Sequence, residues 1–240
     1  MSAHLERAQV LIDLGRPTQA EVELRRALAE EPDNSEAHCL LAWSLAEQGQ
    51  TNEALTEADE AVRLQPDSTH THKMLSWILI LQSRWKGAEK EIREAIRINP
   101  QYADNFYILA YLFMKRKRWW DCEEAARQGL RIDPDHLNCA IMLAQALLQR
   151  NRTEEAQEVI EMVMAKDPEN EWAHITQGVF HWTGNRLQSL HHFQEAARIN
   201  PENTFVHQCI RQLERPIAWG GIAVLIYFIY KIIVLLLGHN

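Results

Sequence analysis

Six prolines cut this chain at a nearly constant interval. Starting from Pro32, the residues Pro66, Pro100, Pro134 and Pro168 each follow 34 positions after the last, and Pro201 comes 33 after Pro168. Proline has no amide hydrogen and disfavours helix in the residue before it, so each one marks the close of a helix. Self-similarity at a period of about 20–50 residues is the signature of stacked supersecondary units. The chain, at 240 residues with only 9 Gly, therefore predicts long helices joined by short turns.

Laying the units over one another brings small residues into columns. One holds Ala8, Ala42, Ser76, Ala110, Ala144 and Gly178; a second holds Ala20, Ala54, Ala88, Cys122, Ala156 and Ser189. A third holds Ala27, Ala61, Ala95, Gly129, Val163 and Ala196. Small side chains at the first two let paired helices approach closely. Leu11, Leu45, Leu79, Phe113 and Leu147 form a large apolar column that fills the space between pairs, and His181 interrupts it. Gly15-Arg16-Pro17-Thr18 and Gly49-Gln50-Thr51-Asn52 punctuate the turn inside a pair, with Pro17 suited to a first helical turn.

These columns resemble the tetratricopeptide repeat family, which has small residues at the eighth, twentieth and twenty-seventh places and proline at the thirty-second. The resemblance covers residues 1 to about 203. It implies an all-α, right-handed solenoid of six antiparallel helix pairs at 1–34, 35–68, 69–102, 103–136, 137–170 and 171–203. The sixth is one residue short and carries Gln177 and His181 at apolar columns. Residues 204–215 read as a capping helix, which end repeats require.

The same register argues against catalysis. Of 11 histidines, His4, His38, His72 and His174 stand at the fourth place, where the family prefers a large aromatic, so a packing role is expected. His70 and His72, two apart, and His191 and His192, adjacent, diverge on a helix. There is no HExxH, no Ser-His-Asp order with a nucleophile elbow and no glycine-rich phosphate loop. Cys39, Cys122, Cys139 and Cys209 form no CxxC pair and read as reduced, small core residues. A net charge of −8 is the wrong sign for nucleic acid. The expectation is a protein that is no enzyme, with no cofactor, metal or small-molecule substrate.

In such folds the first helices of successive pairs line a groove that binds protein segments. The resemblance assigns to it Trp43 in the second unit and Lys73, Trp77 and Ile80 in the third. From the fourth unit come Asp104, Tyr107, Ile108, Tyr111, Met114 and Lys115. The fifth supplies Asn138, Ile141, Gln145 and Leu148, and the sixth Trp172, Ile175 and Trp182. One branch of the family grips chaperone C-terminal carboxylates with groove lysines, asparagines and an arginine. Leu5, Gln9, Trp43 and Trp77 stand where some of those polar groups are needed, so that specificity is not carried over. An extended or helical partner segment held by apolar anchors is expected instead.

Beside this surface runs Lys115-Arg116-Lys117-Arg118-Trp119-Trp120. Trp119 shares a column with Trp85 and reads as packing, while Trp120 and the four cations read as a patch for an acidic partner or anionic headgroups, or as a solvated turn.

After Pro216, residues 217–237 read IAWGGIAVLIYFIYKIIVLLL. As a helix, these residues reach about 31 Å at 1.5 Å per residue, close to the hydrocarbon thickness of a bilayer. Lys231 at a bilayer centre costs roughly 2.5–3.5 kcal/mol, but it lies about 9 Å from the end and can snorkel. Each central Ile or Leu returns roughly 0.3–0.6 kcal/mol. A C-terminal membrane anchor is expected, with Trp219 at one interface. Arg211 and Arg215 place the repeats on the cytoplasmic side, and MSAHLERAQVLIDLG carries no secretory signal pattern. A hydrophobic helix packed on a partner, or in the protein's own groove, is the competing reading. Two functions follow: a membrane-tethered adaptor that binds a partner segment, or an accessory or assembly subunit of an integral membrane complex.

Overall fold

The computed structural model describes residues 3–182 and 184–214. Among them the chain is all-α, with 13 helices and no strand. In order these are α1 (Ala3–Asp13), α2 (Pro17–Glu30), α3 (Ser35–Glu47), α4 (Thr51–Leu64), α5 (Thr69–Leu81), α6 (Trp85–Ile98) and α7 (Ala103–Lys115). There follow α8 (Trp119–Ile132), α9 (Leu137–Gln149), α10 (Thr153–Lys166), α11 (Glu171–His181), α12 (Arg186–Ile199) and α13 (Thr204–Glu214). The described residues form two compact units, divided between Val159 and Ile160.

In the first unit α1 packs on α2, α3 on α4, α5 on α6 and α7 on α8, and each second helix also packs on the first helix of the next pair. Ala8 and Ala20, Ala42 and Ala54, and Ala88 are fully buried. Missing side-chain bulk is what lets the paired backbones close: the Ser76 hydroxyl, in the alanine column of α5, donates to the Ala88 carbonyl of α6 at 2.9 Å. On α6 the buried Ala88, Ile92 and Ala95 recur at helical spacing and form one apolar stripe. Burying a side chain such as Ile92 contributes about 1.5–3 kcal/mol.

The turns inside the pairs repeat one geometry. Gly15, Gly49, Ser83, Lys117 and Asn151 have φ of 67°, 76°, 58°, 57° and 59°. The next residue's amide donates back to the large apolar column: Arg16 to Leu11 at 2.8 Å, Gln50 to Leu45 at 2.9 Å, Arg84 to Leu79 at 2.8 Å and Arg118 to Phe113 at 2.9 Å. This six-to-one closure satisfies a helix-end carbonyl and reverses the chain.

The fourth-place histidines, expected as packing residues, are hydrogen-bonded ties. Nδ1 of His4, His38 and His72 lies 2.6, 2.6 and 2.7 Å from a carboxylate oxygen of Glu23, Glu57 and Glu91, always 19 residues on. Nε2 of His38 and His72 donates to the carbonyls of Pro32 and Pro66 at 2.9 and 2.8 Å. One ring thus joins the first helix of a pair to its second helix and to the end of the preceding pair.

In the second unit Ile175, Phe193, Ala196, Val206, Cys209 and Leu213 form a core shared by α11, α12 and α13. A Cβ on Gly178 would stand 2.8 Å from the Phe193 ring, so the alanine column gives way to glycine here. The Ser189 hydroxyl donates to the Gly178 carbonyl at 2.7 Å. Among the described residues no helix is long and apolar enough to cross a membrane. The expected anchor, with Trp219 and Lys231, lies outside the described residues.

Candidate interaction groove

The first helices α3, α5, α7 and α9 lie side by side in the first unit. Between α3, α5 and α7 is an open recess of about 270 Å³, lined by Trp43, His70, Lys73, Met74, Trp77, Tyr107 and Ile108. Trp43, Trp77, Tyr107 and Tyr111 are each half-buried. The Trp77 and Tyr111 ring centroids are 5.1 Å apart, Tyr111 and Tyr107 6.3 Å, and Tyr107 and the His136 ring 6.3 Å. These separations lie in the range where aromatic pairs attract, so the strip is a connected surface.

A polar network holds this strip in place. The Asp104 carboxylate accepts from Lys73 Nζ at 3.2 Å and pairs with His136 Nε2 at 2.9 Å. Lys73 also donates to the Tyr102 hydroxyl at 3.2 Å and lies 4.7 Å from that ring's centroid. His136 is the residue before α9, and its Nδ1 accepts from the Cys139 amide at 3.2 Å, capping the helix. One carboxylate therefore links α5, α7 and the start of α9. The His136 hydrogen bond, opposed by burial and helped by Lys73, holds the Asp104 carboxyl well below the usual range. Asp104 in turn pushes the His136 ring upward. His70 keeps an exposed surface, yet crowding in the recess and the Lys73 charge lower its pKa. Burial pushes the Tyr107 hydroxyl up to about 12.

Several residues assigned to the groove are placed otherwise. Ile80 and Ile141 are only 3% and 4% exposed, and Ile108 is a buried floor of the recess. Lys73 is directed into Asp104 and Tyr102, not toward a partner. Met114, Gln145 and Leu148 are half-buried on α7 and α9. In the second unit Ile175 belongs to the core and Trp182 meets Phe193 edge-on at 5.8 Å, whereas Trp172 is exposed. Tyr102 and His136, absent from the assigned set, carry a signal of their own. They stand 34 residues apart, each just before a first helix.

The basic run is only partly free. Arg116 donates to Glu89 at 2.9 Å, and Arg118 donates to Asp121 at 2.8 Å with its guanidinium 4.5 Å from the Phe113 ring centroid. Lys115 lies with Nζ 5.0 Å over the Tyr111 ring, and Lys117 is exposed. Trp120 is 64% exposed, while Trp85 and Trp119 begin α6 and α8 partly buried. Burial pushes the Cys39 and Cys122 thiols up to about 12, the opposite of an activated nucleophile. Among the described residues no group of three or more His, Cys, Asp or Glu side chains is placed to hold a metal ion.

The sequence matches the tetratricopeptide repeat family over residues 4–78 and 123–177. No curated protein sequence matches significantly. Solved structures share the fold. A tetratricopeptide repeat protein from Parabacteroides merdae aligns with a TM-score of 0.76 at 14% identity, over 88% of this chain and 82% of that one. PilF of Pseudomonas aeruginosa aligns with a TM-score of 0.67 at 18% identity, over 88% and 96%. A structure of the APC/C hetero-tetramer Cut9–Hcn1 aligns with a TM-score of 0.76 at 11% identity; this chain spans 42% of the chain it matches there. YrrB, described as a repeat protein with an unusual peptide-binding site, aligns with a TM-score of 0.51 at 17% identity, over 78% and 97%.

Proposed function

Because the chain belongs to the tetratricopeptide repeat family, we propose that it is a membrane-tethered interaction scaffold whose first unit holds a segment of a partner protein. Proteins of this family generally mediate protein–protein contacts, and YrrB is described as having a peptide-binding site. The observation that carries the reading is the open recess between Trp43, Trp77 and Tyr107, continued by Tyr111 and tied by Asp104 to Lys73 and His136. Large aromatics bury much area while fixing few rotatable bonds, which is why they dominate interfaces. A braced wall also loses little freedom when a partner binds.

Tethering is supported by the composition of residues 217–237, whose length and apolarity suit a bilayer span. Arg211 and Arg215 favour a cytoplasmic repeat domain. Six repeats over residues 1–203, with residues 204–215 as a cap, complete the proposed organisation.

The double variant Trp77→Ala/Tyr111→Ala, compared with wild type in affinity capture of native partners from detergent extract, tests the groove. Loss of partners from a variant that keeps its helical circular dichroism is expected, and unchanged recovery refutes the groove. Alkaline carbonate extraction tests the tether: the protein is expected in the membrane pellet, and complete release refutes it.

A further inference from the structure

We infer that the aromatic recess and the cationic turn next to it form one binding surface, for a peptide segment in which an apolar anchor is followed by acidic side chains. This rests on the groove reading above and assigns a chemistry to its occupant.

Two contacts in series connect the two halves. The ring of Trp77, on the recess wall, stands 5.1 Å from that of Tyr111, and Lys115 Nζ stands 5.0 Å over the Tyr111 ring. The Trp77 ring and the Lys115 ammonium are thus at most about 10 Å apart, which an extended chain covers within about three residues at about 3.3 Å each.

The charges left without a partner at the far end of this path are cationic. Asp104 beside the recess is engaged by both Lys73 and His136, and Glu36 on α3 also bears on His70. Glu89 and Asp121 are engaged by Arg116 and Arg118. Lys115 and Lys117 have no carboxylate partner among the described residues, although the whole chain carries a net charge of −8. Two ammonium groups without a carboxylate, Lys115 over the last ring of the strip and Lys117 exposed in the turn that follows, complement an acidic segment and repel a basic one in a protein otherwise acidic. Lys73 is already engaged inside the wall, so no cation in the recess awaits a chain-terminal carboxylate. Recognition falls to side-chain acids, and an amidated peptide binds as well as a free one. Anionic lipid would satisfy Lys115 and Lys117 but leaves the recess unused; the peptide fits both.

The test is selection from a random 12-residue peptide library displayed on phage, against the full chain in zwitterionic detergent. The variants are Lys115→Glu/Lys117→Glu and Trp77→Ala. Enriched sequences are expected to carry Trp, Phe, Leu or Met with Asp or Glu about three residues to one side. A synthetic, amidated version should bind the lysine-reversal variant roughly tenfold or more weakly, with the difference shrinking in high salt. Anchored peptides without acidic preference overturn this inference and leave the groove reading intact. Enrichment that survives Trp77→Ala, or no enrichment, overturns both. Binding of phosphatidylserine vesicles through Lys115 and Lys117, uncompeted by the peptide, assigns the turn to lipid and also overturns the inference.

Discussion

His72 and Glu91, 19 residues apart on α5 and α6, meet through Nδ1 and a carboxylate oxygen at 2.7 Å, and both are buried. The other ring nitrogen faces the Pro66 carbonyl at 2.8 Å. A carbonyl and a carboxylate only accept, so the ring and carboxyl together hold the hydrogens that both contacts need.

Removing one partner leaves the other buried and unsatisfied. Glu91→Ala is expected to lower stability by about 1–3 kcal/mol, measured by urea unfolding. Glu91→Gln should cost far less, because its amide can donate to Nδ1 while Nε2 still donates to Pro66. The fourth pair carries Phe106 and Ala125 at these two places, both buried. The double variant His72→Phe/Glu91→Ala copies them and is expected to recover most of the loss. Equal stability of Glu91→Ala and wild type would show that the contact contributes nothing net.

Much of the architecture is written in the spacing of small residues. Ala8 with Ala20, and Ala42 with Ala54, are buried because the helices of a pair can approach only where side chains are short. The groove is less legible. Its columns place a residue on a helix face but do not say whether the next helix covers that face, so Ile80 and Ile141 read like Trp77 although only the tryptophan keeps an open surface. Tyr102 and His136 precede their helices, outside the columns, and their roles depend on a carboxylate reached across space. The constant interval from His4 to Glu23, His38 to Glu57 and His72 to Glu91 was present in the sequence as a signal. It becomes informative once the turn between the helices is known to bring those faces together.

Where the glutamate column reaches the second unit it holds His192, and acid should loosen that unit. His174 and His192 approach through their Nδ1 atoms at 3.3 Å, and the His181 ring lies parallel to His192 within 8° at 5.8 Å. Burial, then His174, His191 and His181, push His192 down to about 4, against a weaker pull from Glu195. The unfolded ring titrates near 6.5, so between about 6.5 and 4 the unfolded chain binds more protons and stability falls with pH. Amide exchange in α12, corrected for intrinsic rate, is expected to speed up across that window. His192→Glu restores a carboxylate opposite His174 and should flatten the response. Wild-type protection that stays constant from neutral to acid refutes the assignment.

Gly178→Ala sets two effects against each other. Alanine favours helix over glycine by about 1 kcal/mol. Its Cβ, however, would sit 2.8 Å from the ring of Phe193, which is fully buried. Overpacking of this kind costs about 1–3 kcal/mol, so a net loss of about 1 kcal/mol is expected in chemical denaturation. The first pair shows the alternative, Ala8 with Leu24, both buried. In a Phe193→Leu background the same Gly178→Ala change should therefore stabilise, and a loss of equal size in both backgrounds would rule out the ring as the cause.

Asp104 should make the groove wall most stable in mildly acid solution. Its folded pKa is depressed, chiefly by the His136 hydrogen bond, so its contribution is present above the unfolded value of about 3.9 and is lost as pH falls through the lower folded value. His136 is raised, chiefly by Asp104, so its share is complete below about 6.5 and wanes as pH climbs toward the folded value. Both terms are whole between about 4 and 6.5. The Asp104 side chain is 37% exposed, and water screens the pair, which limits the effect to about 1 kcal/mol. Asp104→Asn keeps the shape but not the charge. The stability difference between wild type and this variant, followed by tryptophan fluorescence during urea unfolding, is expected to peak in that window and shrink on both sides. A difference that does not vary with pH would mean that Asp104 acts through shape alone, and that charge does not brace the wall carrying Trp77 and Tyr107.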